Sequence, residues 1–507
     1  MGEASTLFEL LGAGGDNGAA ISAPGRAALD HGGLRALVTR TVAELNGRGV
    51  GRGDRVAMVL PNGPEMAAAF VSIACGAATA PLNPAYRQDE FAFYMKDIGA
   101  RVLMVERNSP SPAVAAARLL GIPVLEIDAP AGAAAGVFEF IGGRAGGEAA
   151  NGGRAGPDDV ALLLHTSGTT ARPKIVPLSH RNICASARHI AKALALTPED
   201  RCLNIMPLFH IHGLIAAVSS SLGAGASVHC TPGFNALKFF AWLDDARPSW
   251  YTAAPTMHQA ILGRAARNRE SVAKAKLRLI RSSSSPLPLR VMAELESVFG
   301  APVIESYGMT EASHQMTSNP LPPHDRKPGT VGIAAGPEVA IMGEAGLLTE
   351  VGAIGEVVIR GPNVTRGYEN NPKANEDGFT DGWFRTGDQG RLDSAGYLTI
   401  TGRLKEIINR GGEKISPSEV DDVLMDHPAV AQVVTFALPH DKLGEEIACV
   451  IVLRDGLDAS ESDIRSFASS RLAPFKTPRK VLFRDEIPKG ATGKPQRIGM
   501  AEKLGLA

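Results

Sequence analysis

The ten residues His165-Thr166-Ser167-Gly168-Thr169-Thr170-Ala171-Arg172-Pro173-Lys174 follow directly on an apolar run at 159–165, and no other stretch of the chain says more about its architecture. A strand that empties into hydroxyls, a glycine and two cations is suited to phosphate. Ser and Thr hydroxyls and backbone N–H groups of a tight loop surround phosphate oxygens, and a lysine adds a point charge. The segment is not a P-loop, because Lys174 stands between Pro173 and Ile175 instead of within Gly-Lys-Ser/Thr. Alone, such a cluster is more often an ordinary solvated strand-to-helix turn, so the surrounding sequence has to decide.

Upstream, Leu37, Val38, Val42 and Leu45 recur at helical spacing until Gly47 and Gly49 stop the pattern. A β-rich run at 55–60, a helical pattern at 65–75 and a second strand at 101–106 follow. This alternation predicts a largely parallel α/β sheet covered on both faces. The apolar stretch 67–82 is rich in small residues and ends near Pro81, so it reads as buried helix plus strand and not as a membrane span. Residues 129–157 are dominated by Ala and Gly and read as a surface insertion.

Downstream, 325–401 changes to short strands punctuated by Gly, Asn and Pro, with strands expected at 355–360 and 396–401. The last hundred residues return to a compact α+β pattern after a charged turn at 402–414. The boundary is placed near Arg403, giving an N-terminal domain at 1–402 and a C-terminal domain at 403–507.

With 52 basic and 53 acidic side chains in 507 residues, no net field exists to draw in a nucleic-acid backbone or an anionic membrane. The composition, 44% hydrophobic and 21% charged, is that of a globular enzyme. Cys75, Cys184, Cys202, Cys230 and Cys449 are scattered singly, which fits a reducing compartment. No secretory pattern opens the chain, and the closing Gly-Leu-Ala lacks a peroxisomal address, so a cytoplasmic location is expected.

Four further motifs follow in order. Tyr307-Gly308-Met309-Thr310-Glu311 offers an aromatic face, a hydroxyl and a carboxylate within five residues, and Trp383-Phe384-Arg385-Thr386-Gly387-Asp388 ends in a carboxylate able to accept from two ribose hydroxyls. Gly402-Arg403-Leu404-Lys405-Glu406 sits at the expected boundary, followed by Arg410-Gly411-Gly412-Glu413-Lys414-Ile415-Ser416-Pro417-Ser418-Glu419. In the latter, Ser416 and Glu419 have capping-box spacing and Pro417 takes the first helical position. Gly493-Lys494 closes the series.

Together these motifs resemble the adenylate-forming superfamily of acyl-CoA synthetases, luciferase and peptide-synthetase adenylation domains. The resemblance covers nearly the whole chain. It departs at Ala171 and Ile175, where many members carry Gly. It implies an α/β fold with a large N-terminal domain and a small, mobile α+β C-terminal domain. It also implies ATP, Mg²⁺ and coenzyme A as participants.

By the same resemblance, Thr166, Ser167, Gly168, Thr169, Thr170 and Lys174 hold phosphate, while Ser284, Ser285, Glu305, Ser306 and Tyr307 border the nucleotide. Thr310 meets the α-phosphate, Glu311 binds Mg²⁺, Asp388 the ribose, and Arg403 helps hold the nucleotide. Lys405 is the pivot, Gly411 and Gly412 border the coenzyme A channel, and Lys494 reaches the reacting carboxylate.

The acid pocket is expected from 207–213, 282–286 and the residues after Glu311, a polar set. His210 and His212, facing one side of an extended segment, would join Ser283 and His314 in binding a second carboxylate; His210 is also a catalytic candidate. The stretches 207–213, 250–252 and 310–316 resemble the oxalate:CoA ligase branch, which implies a small acid as partner. A short- or medium-chain fatty acid is the alternative, although a long one needs an apolar tunnel. A luciferase-like oxygenase shares the adenylation motifs. A zinc hydrolase built on His210 and His212 lacks a third ligand at convincing spacing. No nucleic acid or membrane partner is expected, and a monomer or homodimer is.

Overall fold

The expected helix after the first strands runs from His31 to Gly47, starting where the Asp30 carboxylate accepts from the Gly33 N–H and burying Leu34, Leu37, Val38, Val42 and Leu45. The computed structural model describes residues 3–166, 173–489 and 495–506. The chain folds as two compact units. The residues up to 166, with 174–338 and 360–378, form the first, and 339–359 with the residues from 379 onward form the second.

The first unit holds two sheets. One contains seven strands in the order Glu139–Gly142, Val124–Asp128, Val102–Glu106, Arg55–Val59, Ala78–Pro81, Val160–Thr166, Lys174–Ser179. Its inner pairs are parallel, and antiparallel strands close both edges. The helix Pro64–Ala74 is buried on nearly every side, as a helix apolar all round must be. The stretch 67–82 is therefore helix followed by the strand Ala78–Pro81, as expected. The Ala/Gly-rich segment 129–157 lies mostly at the surface, as expected, but it also joins the sheet. It contributes the edge strand Glu139–Gly142, and Phe138 is buried beside Phe140. The two aromatic side chains outweigh the small residues around them, each supplying more apolar area than several alanines.

The second sheet has nine strands, among them Val303–Met309, Leu279–Ser282, Trp250–Ala253 and Arg201–Asn204 as consecutive neighbours. These central pairs are parallel. The ends of such strands form the usual ligand-binding edge of a parallel sheet, and several candidate residues lie there.

In the second unit, Gly355–Arg360, Trp383–Leu392 and Leu398–Arg403 form antiparallel pairs within a five-stranded sheet. Another five-stranded sheet is built on the long hairpin Val430–His440 with Gly444–Leu453. It packs Ile408, Ile447 and Ile451 against Val420 and Leu424 of the helix Pro417–Met425. Ser416 caps that helix, accepting from the Glu419 N–H, and Pro417 is its first residue, as expected. The reciprocal arm of the capping box is not made, because both Glu419 carboxylate oxygens accept instead from Lys476 Nζ at 2.6 and 2.7 Å.

Candidate functional site

Thr166 pairs with Lys174 across antiparallel strands, so the phosphate-loop sequence joins two strands of a hairpin instead of leading into a helix. Ser167, Gly168, Thr169 and Thr170 lie outside the described residues. Lys174 holds its Nζ 4.4 Å from the centre of the Tyr368 ring, and the Tyr368 hydroxyl donates to Glu311 Oε1 at 2.9 Å. Loop cation and candidate metal carboxylate are thus linked through a tyrosine that lies in none of the motifs.

Glu311 sits in a short 3₁₀ turn, Thr310–Ala312, at the end of the strand carrying Tyr307. Its side chain is only 5% exposed. Among the described residues no group of three or more His, Cys, Asp or Glu is placed to hold a metal. A single carboxylate nonetheless suits Mg²⁺, which takes one or two protein oxygens and completes its shell with phosphate oxygens and water.

The chain then reverses sharply. Gly308 opposes Gln315 and Met309 opposes His314. A Cβ on Gly308 would fall 1.6 Å from the His314 carbonyl oxygen, so no other residue fits. Ser313 (φ 49°) and His314 (φ 98°) both adopt the left-handed region, as does Ser284 (φ 81°) in the facing loop. Non-glycine residues held there cost about 1–3 kcal/mol each and persist where the surroundings over-determine them. Asn363 supplies that constraint, its Nδ2 donating to the carbonyls of Ala312 and Gln315 while its own carbonyl accepts from Ser313 Oγ.

His212 and His314 meet edge to face, with ring centres 4.9 Å apart. His212 Nδ1 lies 2.9 Å from Ser284 Oγ, and its Nε2 lies 2.6 Å from Thr252 Oγ1. The expected extended segment carrying His210 and His212 is not found. His212 opens a π-helix, His212–Ser219, immediately after a turn. The run of small and apolar residues after Gly213 packs fully, as buried helix does, and π geometry recurs at functional sites. His212 is consequently buried, whereas His210 is half-buried beside Phe209.

Around this pair, the buried Ser283 donates to the Ser306 carbonyl, and Ser306 Oγ donates to the Ser282 carbonyl. The Glu305 carboxylate accepts from the Leu287 N–H at 2.9 Å, bracing the serine loop. Ser285 is exposed.

One residue of this cluster belongs to no sequence motif. Arg281, fully buried on the strand Leu279–Ser282, directs Nη1 toward His212 Nε2 and Thr252 Oγ1 (3.5 Å each). Its Nη2 faces His314 Nδ1 at 3.5 Å and Gln315 Oε1 at 3.3 Å. A charged residue inside a central parallel strand is itself a signal, since such strands are buried on both faces.

In the second unit, Asp388 and Arg403 are direct cross-strand partners, and Arg403 Nε donates to Asp388 Oδ1 at 2.7 Å. Thr386 Oγ1 bonds both the Val357 carbonyl and the Asp388 N–H, fixing the turn. Lys405 lies in the 3₁₀ turn Leu404–Glu406. Arg410 and Glu413 are paired, which makes Gly411-Gly412 a two-residue hairpin with φ of 59° and 93°. Both positive angles belong to the hairpin turn that glycine favours. Lys494 lies outside the described residues; Lys489 and Pro495 on either side form a β-bridge.

The sequence pattern described as AMP-binding enzyme matches residues 14–369, and that of the AMP-binding enzyme C-terminal domain matches 419–494. The oxalate–CoA ligase of Arabidopsis thaliana is 45% identical over 490 residues, covering 95% of this chain and 95% of that protein. The oxalate–CoA ligase of Saccharomyces cerevisiae is 41% identical over 475 residues, 89% of this chain and 87% of that protein. Among solved structures, ATP-bound MatB from Rhodopseudomonas palustris superposes with a TM-score of 0.87 at 30% identity, covering 99% of each chain. With a family match over most of its length and relatives matched nearly end to end, the chain belongs to the AMP-binding enzyme family.

Proposed function

We propose that this protein is an ATP-dependent, AMP-forming acid:CoA ligase whose acid is oxalate. The observation that carries the choice of acid is the cluster of the buried His212, Thr252 and His314 with the half-buried Ser284. These are hydrogen-bonding groups at the position where a fatty-acid enzyme needs an apolar tunnel. The Arabidopsis and yeast relatives named oxalate–CoA ligase support the same acid.

A carboxylate is a poor acyl donor because its leaving group would be oxide, so the acid is first joined to AMP. Attack of the carboxylate on the α-phosphate brings two anions together and requires countercharge and orientation. In this reading Thr310 and Lys174 contact phosphate oxygens, and Lys494 holds the attacking carboxylate. Tyr307 stacks on the base and Asp388 accepts from the ribose. Mg²⁺, held by Glu311, would neutralise phosphate charge. Release of pyrophosphate leaves an acyl-adenylate, and the thiol of coenzyme A then displaces AMP from the carbonyl.

Lys494 has no task in the second step. The C-terminal domain, taken to begin at Arg403, turns about Lys405 and exchanges Lys494 for the Gly411-Gly412 hairpin. The five cysteines are free and buried, in keeping with a reducing cytoplasm, and a monomer or homodimer completes the reading. A panel of acids assayed for CoA-dependent AMP release tests it: oxalate is expected to be the preferred substrate. Activity with butyrate or octanoate beside none with oxalate overturns the choice of acid.

A further inference from the structure

Arg281 is a cation beside the acid pocket with no exposed surface. Among the described residues no carboxylate pairs with it, and its Nε has no hydrogen-bond partner. Burial lowers its pKa to about 9, which leaves the guanidinium charged at neutral pH. A buried charge without a counterion is costly and is retained where it has a task.

Its contacts define that task. A guanidinium has five donors and no acceptor, so every atom facing it must accept. A guanidinium facing His212 Nε2 favours the tautomer with no proton there, in which the Thr252 hydroxyl at 2.6 Å donates to it. The His212 hydrogen then sits on Nδ1 and is donated to Ser284 Oγ at 2.9 Å, directing the serine's own hydrogen away from the ring. His314 likewise accepts on Nδ1, which places its hydrogen on Nε2, on the far side of the ring from Arg281. Gln315 is oriented by the same rule, with Oε1 toward Arg281 and Nε2 donating to the Ala335 carbonyl at 3.1 Å. One cation thus sets three side chains so that their donors point away from it, and its own charge stays unneutralised.

We propose that Arg281 is the charge-selective positioning residue of the acid pocket: it orients His314, and through His212 also Ser284, as donors and supplies the countercharge for the second carboxylate of a dicarboxylate. The inference rests on the reading of the protein as an oxalate:CoA ligase and adds the residue that distinguishes a dianion from a monocarboxylate of equal size.

The test compares oxalate with glycolate, in which a hydroxyl replaces the second carboxylate, in wild type, Arg281→Met and Arg281→Lys. Turnover gives KM and kcat, and competition gives Ki where an acid is not turned over. Loss of the countercharge, and of the side-chain orientation that gives oxalate one charge-assisted hydrogen bond from the pocket, is expected to raise the oxalate KM of Arg281→Met by about 10- to 150-fold. The KM for ATP should stay within about twofold, glycolate should be affected far less, and the melting temperature should not fall, since an unpaired charge has been removed. Arg281→Lys, which keeps the charge without the fork, should fall between the two.

Equal loss with both acids, or oxalate preference unchanged in Arg281→Met, overturns the proposal. Should the methionine variant fail to fold, the lysine variant decides. A selective rise in its oxalate KM supports the assignment, and parallel losses with both acids refute it. Wild type inactive with oxalate would be a failure of the proposed function and is read before any variant is made.

Discussion

Replacing Tyr368 with phenylalanine removes one oxygen atom from the nucleotide side of the site and leaves the rest of the side chain in place. That oxygen donates to Glu311 Oε1 at 2.9 Å, and Glu311 is buried with 5% exposure. Hydrogen bonds to charged groups are worth about 1.5–3 kcal/mol, and a buried carboxylate that loses a donor suffers the upper part of this range. If the interaction holds Glu311 where Mg²⁺ and phosphate require it, the substitution should lower adenylation, measured as acid-dependent ATP–pyrophosphate exchange, by about 10- to 150-fold. The Mg²⁺ concentration for half-maximal rate should rise with it. Thioester formation from a supplied acyl-adenylate should change little.

Tyr368→Leu separates the two roles of the ring. Lys174 Nζ lies 4.4 Å from the ring centre, and with Tyr368 buried and Lys174 half-buried the contact is worth at least as much as an exposed cation–π pair, about 0.5–1 kcal/mol. The leucine variant should therefore lose about a further twofold to fivefold beyond phenylalanine, seen in the KM for ATP. Tyr368→Phe within about twofold of wild type in exchange rate and Mg²⁺ dependence would refute the coupling of Lys174, Tyr368 and Glu311.

Lys494→Ala should reduce adenylation by about 10² to 10³, the loss typical of one preorganised donor, while sparing thioester formation from the adenylate; equal losses would remove Lys494 from its assigned step. Lys405→Pro should instead impair thioester formation more than exchange, and single-turnover measurement of the two half-reactions shows whether it does. Stability should fall in mild acid. Burial lowers the imidazoles of His180 and His229 to about 4 and that of His258 to about 3, against 6.5 when unfolded. The unfolded chain then binds more protons below pH 6.5. The stability each histidine contributes is complete above that pH and is lost as pH falls toward the folded value, about 2 kcal/mol per histidine at pH 5. Urea melts at pH 7.5 and 5 measure the loss, and equal stabilities would contradict it.

Features contiguous in the chain can be read from the residues alone. The helix His31–Gly47, the buried helix and strand within 67–82, the cap at Ser416 and the ordered motifs are legible, because periodicity, capping and turn chemistry act over a few residues. Local reading fails where distant side chains settle the outcome. It places His210 and His212 on one side of an extended segment, although packing winds His212–Ser219 into a π-helix. It reads 129–157 as surface, which most of the segment is, but does not find the edge strand or the buried place of Phe138. Folding in three dimensions is what brings Tyr368 to Glu311 across 57 residues, and Arg281 to His212 across 69. No local pattern encodes such contacts. The Arg281 cluster forms because neighbouring parallel strands deliver their side chains to one edge of a sheet, where a buried charge must find acceptors or a ligand, and Tyr368 reaches Glu311 from a loop that packs back on that sheet's turn.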